Sequence, residues 1–204
     1  NAQKRVSKEI VQDLKLNKPM LRLVQGDVGA GKTLVAGVAA CHALEEGWQV
    51  ALMAPTEILA EQHYLNFKKW FEPLGLSVSW LSGKQKGKAR AAAEQAIVDG
   101  TAHLVVGTHA LFQDNVRFAK LGLVIIDEQH RFGVDQRLAL RNKGAQNMTP
   151  HQLVMTATPI PRTLAMSAYG DLDTSVIDEL PPGRTPIQTV TIPLDRRDCL
   201  LYTS

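Results

Sequence analysis

The chain has 204 residues, of which 45% are hydrophobic and 21% charged, and its net charge is +3. This balance excludes a disordered tail, a collagen-like fibre and a low-complexity linker. It also excludes a blanket of positive charge, though not a local basic groove. The length suits one domain with a sizeable core. Cys41 and Cys199 cannot build a disulfide framework, and together with six histidines they show no zinc spacing. Such cysteine usage fits a reducing, cytoplasmic setting. The longest apolar stretch, residues 34–44, is broken by Cys41-His42 and is too short to span a bilayer. No membrane role is expected. The chain starts Asn1-Ala2-Gln3, without an initiator Met or a leader pattern, and reads as a segment of a longer protein.

Residues 4–16 predict a helix with Val6, Ile10, Val11 and Leu14 on one face, stopped by Asn17-Lys18-Pro19. A first apolar run, 21–25, leads through a glycine-rich turn into helix 33–44, apolar nearly all round. Run 49–54 precedes helix 57–71, whose stripe is Ala60, Tyr64, Phe67 and Phe71. Run 77–81 precedes an alanine-rich helix at 89–98. Runs 103–107 and 123–126 follow, and Val124-Ile125-Ile126 is as uninterrupted as strands buried on both faces are. The remaining elements are a helix at 135–141, a run at 153–157, a helix at 163–169 and a run at 174–177. Strands alternating with helices imply an α/β three-layer sandwich, a mainly parallel sheet covered by helices on both faces. Ligands of such sheets bind at the carboxyl ends of the strands. Residues 181–186, Pro-Pro-Gly-Arg-Thr-Pro, read as a linker. The expected division is therefore one domain over 1–180, then a linker and the start of another unit over 181–204, where 187–192 alternates like a strand.

Gly26-Asp27-Val28-Gly29-Ala30-Gly31-Lys32-Thr33 matches the phosphate-loop pattern G-x-x-x-x-G-K-[ST]. A triphosphate is highly anionic and has to lie against backbone N–H groups. Gly26, Gly29 and Gly31 let the chain turn and approach it with no Cβ in the way. The next helix points its positive end, roughly half a charge, at the phosphates. Lys32 is placed to reach the β- and γ-phosphates, and the Thr33 hydroxyl to ligate Mg²⁺. With glycine at about 7% of residues, chance gives this pattern in roughly one chain in a hundred of this length. Here it also follows an apolar strand and opens an apolar helix.

Asp127 and Glu128 end the buried run at 123–126, at the sheet edge that would face this loop. Asp127 would hold Mg²⁺, and Glu128 would orient and deprotonate an attacking water. A base beside the metal ligand suits a hydrolase. A kinase gains nothing from it, because it has to keep water from the γ-phosphate. His130 lies two residues on, within reach of the γ-phosphate side.

Asp127-Glu128-Gln129-His130 resembles motif II of superfamily 2 helicases, the D-E-x-H group. Other pieces stand in the family's order. Ala54-Pro55-Thr56-Glu57-Ile58-Leu59-Ala60 resembles motif Ia; Ser82-Gly83 and Gly107-Thr108-His109 resemble two further strand-binding loops; Thr156-Ala157-Thr158-Pro159 resembles motif III. Gln3 is placed like the glutamine that reads adenine. The full spellings around the phosphate loop, residues 127–134, Gln136-Arg137 and residues 156–164 are similar to the RecG family of branch-migrating DNA helicases. Transcription-repair coupling factors are the nearest other group, and primosomal helicases a more distant one. The resemblance covers roughly residues 1–190. It implies a RecA-like first motor lobe over 1–180 that binds ATP and Mg²⁺, in a protein that reverses stalled forks and migrates Holliday junctions. It also implies partners for the lobe: DNA, a second motor lobe carrying the arginine finger, and a wedge domain. A first lobe without that finger would be nearly inactive.

The resemblance implies DNA contacts at Pro55, Thr56, Gly83, Gly107 and Thr108, and coupling of phosphate state to those contacts at Thr156 and Thr158. Each has a plainer reading beside it. Thr56 is also an ordinary helix cap, Gly83 and Gly107 ordinary turn residues, and residues 156–161 a turn ended by prolines. Lys84, Lys86, Lys88 and Arg90 form a basic run that could attract phosphate or simply be solvated. Trp48, Trp70 and Trp80 read as packing residues. A nucleotide-sensing module or GTPase switch is the alternative of another class. It should carry a guanine-reading Asn-Lys-x-Asp, and the nearest stretch, Asn142-Lys143-Gly144-Ala145, lacks the Asp.

Overall fold

A computed structural model describes residues 2–127, 143–144, 148–158 and 172–179. The expected helices at 135–141 and 163–169, the linker at 181–186 and the strand at 187–192 lie outside the described residues. Strands β1 (Leu21–Gly26), β2 (Gln49–Met53), β3 (Val78–Leu81), β4 (Leu104–Gly107), β5 (Leu121–Asp127), β6 (His151–Thr156) and β7 (Asp173–Ile177) form one sheet in the order β3-β4-β2-β5-β6-β1-β7. Every pairing is parallel. The helices are α1 (Ala2–Leu14), α2 (Lys32–Glu45), α3 (Glu57–Phe71) and α4 (Gly87–Val98), with short 3-10 turns at 72–74 and 109–112.

Alternation along each strand sends side chains into two cores. On one face Val6 and Ile10 of α1, Val35 and Ala39 of α2, and Phe67 and Phe71 of α3 pack on Val24, Leu52, Ile125 and Leu153. On the other, Ile97 of α4 with Leu111 and Phe112 packs on Leu23, Ala51, Val124 and Val154. The apolar runs are uninterrupted because neither face meets water. The three-layer expectation holds. The tryptophans pack: Trp80 against Tyr64, Trp70 against Phe67, and Trp48 beneath the Lys120 ammonium.

Helix α1 ends at Leu14 rather than at residue 16, because Lys15 and Leu16 bond back only three residues, to the carbonyls of Gln12 and Asp13. Half-buried charge then fixes it to the sheet. Arg22 of β1, 11% exposed, donates to Asp13 and to the Ser175 hydroxyl of β7 and lies 3.5 Å from Glu9. Ser175 in turn donates to Glu9. Arg5 bonds the Val176 carbonyl.

Two polar side chains brace the amino-terminal edge. Gln49, buried, donates to the carbonyls of Ile97 (3.0 Å) and Ala102 (2.8 Å) and accepts the N–H of Lys120 (2.8 Å). Gln49→Leu fills similar volume but orphans the Ala102 carbonyl and the Lys120 N–H, while the Ile97 carbonyl keeps the N–H of Gly100. At about 1–3 kcal/mol for each buried unsatisfied group, it should lower unfolding free energy by about 3 kcal/mol in a urea titration. His151 Nδ1 accepts the N–H of Met20 at 2.9 Å. Burial holds its pKa below the ordinary value, against the pull of Asp13. The unfolded chain therefore takes up the proton first. The stabilisation is complete above about pH 6.5 and is lost as pH falls below it. Stability measured between pH 7 and pH 5 should decline less steeply in His151→Gln than in the parent.

Candidate active site

Because all seven strands run the same way, every strand-end loop opens on one edge. The loop after β1 is built by close approach. A Cβ at Gly26 would lie 3.2 Å from the Cβ atoms of both Ala30 and Ile177. Gly29 (φ +81°) and Gly31 (φ +86°) take left-handed conformations that favour glycine. Asp27 turns the chain by accepting the Val28 N–H at 2.8 Å and, through its carbonyl, the Ala30 N–H at 3.0 Å. Gly31 caps α2 and has no side chain to occupy the first-turn N–H groups. The Lys32 ammonium lies over this loop, donating to the carbonyls of Gly26 (2.6 Å) and Asp27 (2.9 Å). Thr33 follows in the first turn of α2, half-buried.

Gln3 rests on the same loop. Its Nε2 donates to the Ala30 carbonyl at 2.9 Å, and a Cβ at Gly31 would collide with it. The side chain expected at the adenine thus also braces the phosphate loop, held there by the anchoring of α1.

Asp127 ends β5 at this edge. In the register Asp127 lies beside Met155 of β6, and the next residue of that strand, Thr156, beside Gln25 of β1. With strands about 4.8 Å apart, Asp127 and the phosphate loop are about 10 Å apart across the sheet. That gap admits phosphates and a metal. Glu128, His130, Gln136 and Arg137 lie outside the described residues. The donor set suits Mg²⁺. The Thr33 hydroxyl and the Asp127 carboxylate are hard oxygens, and no group of three His, Cys, Asp or Glu gathers among the described residues. Mg²⁺ is commonly held by one or two protein oxygens, with substrate phosphates and water completing the shell.

One partner of Asp127 is absent from the sequence reading. His63 of α3 bonds Asp127 Oδ2 through Nε2 at 2.6 Å. The stripe of α3 is therefore Ala60, His63, Phe67 and Phe71, while the predicted Tyr64 is half-buried against Trp80. Its i, i+3, i+7 spacing is the signal that could have revealed His63.

The other strand ends divide. After β2, Pro55 and exposed Thr56 lead into α3, and Thr56 Oγ1 caps it by accepting the Leu59 N–H at 3.3 Å. After β3, Gly83 is exposed, and a Cβ there would lie 4.0 Å from His109 Nε2. After β4, a Cβ at Gly107 would sit 1.9 Å from the Leu81 carbonyl, so close packing on β3 already requires glycine. Thr108 is buried, and its hydroxyl is without a hydrogen bond among the described residues. After β6, buried Thr156 accepts the N–H of exposed Thr158 at 3.1 Å in a turn. Lys84, Lys86 and Lys88 are exposed. Arg90 is not part of that display: it is held by Glu94, the Ser82 carbonyl and Gln113. A cavity of about 560 Å³ lies at the opposite edge, between Leu14, Trp48, Gly122 and His151. It is remote from every strand-end loop. Among the described residues no helix is long and apolar enough to cross a membrane.

The chain is 68% identical over 197 residues to an ATP-dependent DNA helicase RecG of Escherichia coli, a match covering 96% of this chain and 28% of that protein. It is 66% identical over 198 residues to the RecG of Haemophilus influenzae, covering 97% and 29%. A solved structure of RecG bound to a three-way DNA junction is similar with TM-score 0.80 and 46% identity, covering 98% of this chain and 26% of that one. The chain thus spans under a third of the curated relatives it matches. The model of the DEAD/DEAH box helicase family matches residues 1–167, most of the chain. With a phosphate loop and the leading acid of motif II on one edge of a parallel sheet, the chain belongs to the DEAD/DEAH box helicase family.

Proposed function

We propose that this chain is the ATP-binding motor lobe of a RecG-type DNA helicase, one that couples ATP hydrolysis to movement on double-stranded DNA, fork reversal and Holliday-junction migration. The observation that carries the reading is the convergence of the Gly26–Thr33 loop and Asp127 on one sheet edge, two strands apart. The backbone of residues 26–33 and the Lys32 ammonium hold the triphosphate. Thr33 and Asp127 hold Mg²⁺, which when bound offsets charge on the phosphates. Glu128, next in sequence to Asp127, orients and deprotonates the attacking water. His130 links the γ-phosphate side to the rest of the site. Gln3 reads adenine from its seat on the loop; this and the lack of an Asn-Lys-x-Asp motif favour ATP over GTP.

DNA lies across the other loops of the same edge. Pro55, Thr56 and Gly83 offer small exposed groups and backbone to a phosphodiester chain, while Gly107 and Thr108 shape the floor between them. The ammonium groups of Lys84, Lys86 and Lys88 add salt-sensitive attraction. The turn at Thr156 and Thr158, on the strand between the phosphate loop and Asp127, couples phosphate state to those DNA contacts. A second motor lobe and a wedge domain are its partners in the whole protein, and the protein acts in the cytoplasm.

Branch migration of a synthetic four-way junction by the full-length gene product, with and without ATP, tests this reading. Lys32→Ala should abolish hydrolysis and migration and leave junction binding within a few-fold of the parent. The 204-residue chain alone should hydrolyse ATP about 10³- to 10⁵-fold more slowly than the full-length protein, the usual worth of an arginine finger. Fast DNA-stimulated turnover by the lobe alone, or unimpaired migration by Lys32→Ala, would contradict it.

A further inference from the structure

The His63–Asp127 contact carries an inference that rests on the nucleotide-site reading above. His63 sits seven residues after Thr56 on α3, 7% exposed, its ring edge-on to Phe67 at 6.4 Å. Nε2 lies 2.6 Å from Asp127 Oδ2. A carboxylate only accepts, so Nε2 is the donor and the proton belongs there. Nδ1 is buried without a hydrogen bond among the described residues. Burying an unpaired polar atom is unfavourable. A leucine would fill the same space between Ala60 and Phe67 without that penalty. Packing alone therefore gives no reason for a histidine here, whereas the bond to Asp127 does.

The bond also has a direction. It engages Oδ2 and sets the carboxylate plane, leaving Oδ1 as the oxygen for a metal or its bound water. Carboxylates that hold metals are commonly oriented by a hydrogen-bonded neighbour, and loss of that neighbour typically costs 10–100-fold in metal affinity or activity. We propose that His63 is a positioning residue for Asp127: it fixes the carboxylate for Mg²⁺–nucleotide and ties its orientation to helix α3. The capped first turn of that helix, at Thr56, begins in the strand-end loop after β2. A shift of α3 is thereby felt at the metal-holding carboxylate through one hydrogen bond.

The test uses the full-length protein and reads equilibrium binding of a fluorescent ATP analogue as Mg²⁺ is titrated. His63→Leu should raise the Mg²⁺ concentration giving half-maximal enhancement of binding by about 10–100-fold, with nucleotide affinity in EDTA unchanged. His63→Gln, whose amide N–H can reach Oδ2, should return it to within a few-fold of the parent. Should His63→Leu fail to fold, judged by its melting temperature, His63→Asn replaces it, because its amide is too short to reach. Parent-like Mg²⁺ dependence in the Leu or Asn variant, or a loss in Gln as large as theirs, overturns the proposal. Lys32→Ala and Asp127→Asn separate the two readings. If both retain Mg²⁺-dependent binding, the nucleotide site itself is misplaced and the role of His63 falls with it. If both lose it while the His63 variants do not, the role of His63 alone fails.

Discussion

The parallel direction of β1, β5 and β6 brings the phosphate loop and Asp127 to one edge of the sheet. In a parallel sheet the loops that carry chemistry all leave from one edge, and residues far apart in sequence become neighbours there. The phosphate loop after β1 and the carboxylate after β5 are separated by about a hundred residues of chain and by a single intervening strand. That spacing of about 10 Å is set by backbone hydrogen bonding rather than by any side chain. A slip of any of these strands would have to repack two close-packed cores at once, which keeps Asp127 opposite Met155.

The same edge is held from outside the sheet by two helices. Helix α1 is fixed through the half-buried Arg22 network and delivers Gln3 to the carbonyl of Ala30. Helix α3 is fixed through Phe67 and Phe71 and delivers His63 to Asp127. Each half of the candidate site thus receives one hydrogen bond from a helix that is itself anchored by packing. Loops shaped only by glycine would be free to collapse; these are braced by side chains whose backbones belong to the core. Gly31 shows how tight the arrangement is: its left-handed φ disfavours a side chain, and a Cβ there would push the Gln3 amide off the Ala30 carbonyl.

The sheet was legible because both-face burial leaves an unmistakable mark: Val124-Ile125-Ile126 and the apolar residues of 103–107 need no partner to be read as strands. The phosphate loop was legible because glycine, lysine and threonine at fixed spacing have one common physical use. His63 was not, because a histidine on an apolar stripe looks like packing until the opposing Asp127 is placed. Arg90 misled for the converse reason. Read along the chain it extends the lysine run, but its guanidinium turns back to Glu94 and Gln113 from positions no spacing rule reveals. Gly107 resembled a DNA-contact glycine, yet the Leu81 carbonyl is reason enough for it. Sequence pattern reports local periodicity; contacts between elements are decided by strand order.

A crystal structure of the full-length protein with a non-hydrolysable ATP analogue and Mg²⁺ would show whether the Gly26–Thr33 loop and Asp127 form one nucleotide site. The triphosphate should be cradled by the N–H groups of the Gly26–Thr33 loop, the metal should lie between it and Asp127, and His63 should still bond the same carboxylate. A nucleotide bound anywhere else, such as the cavity beside Trp48 at the opposite edge, would contradict this assignment.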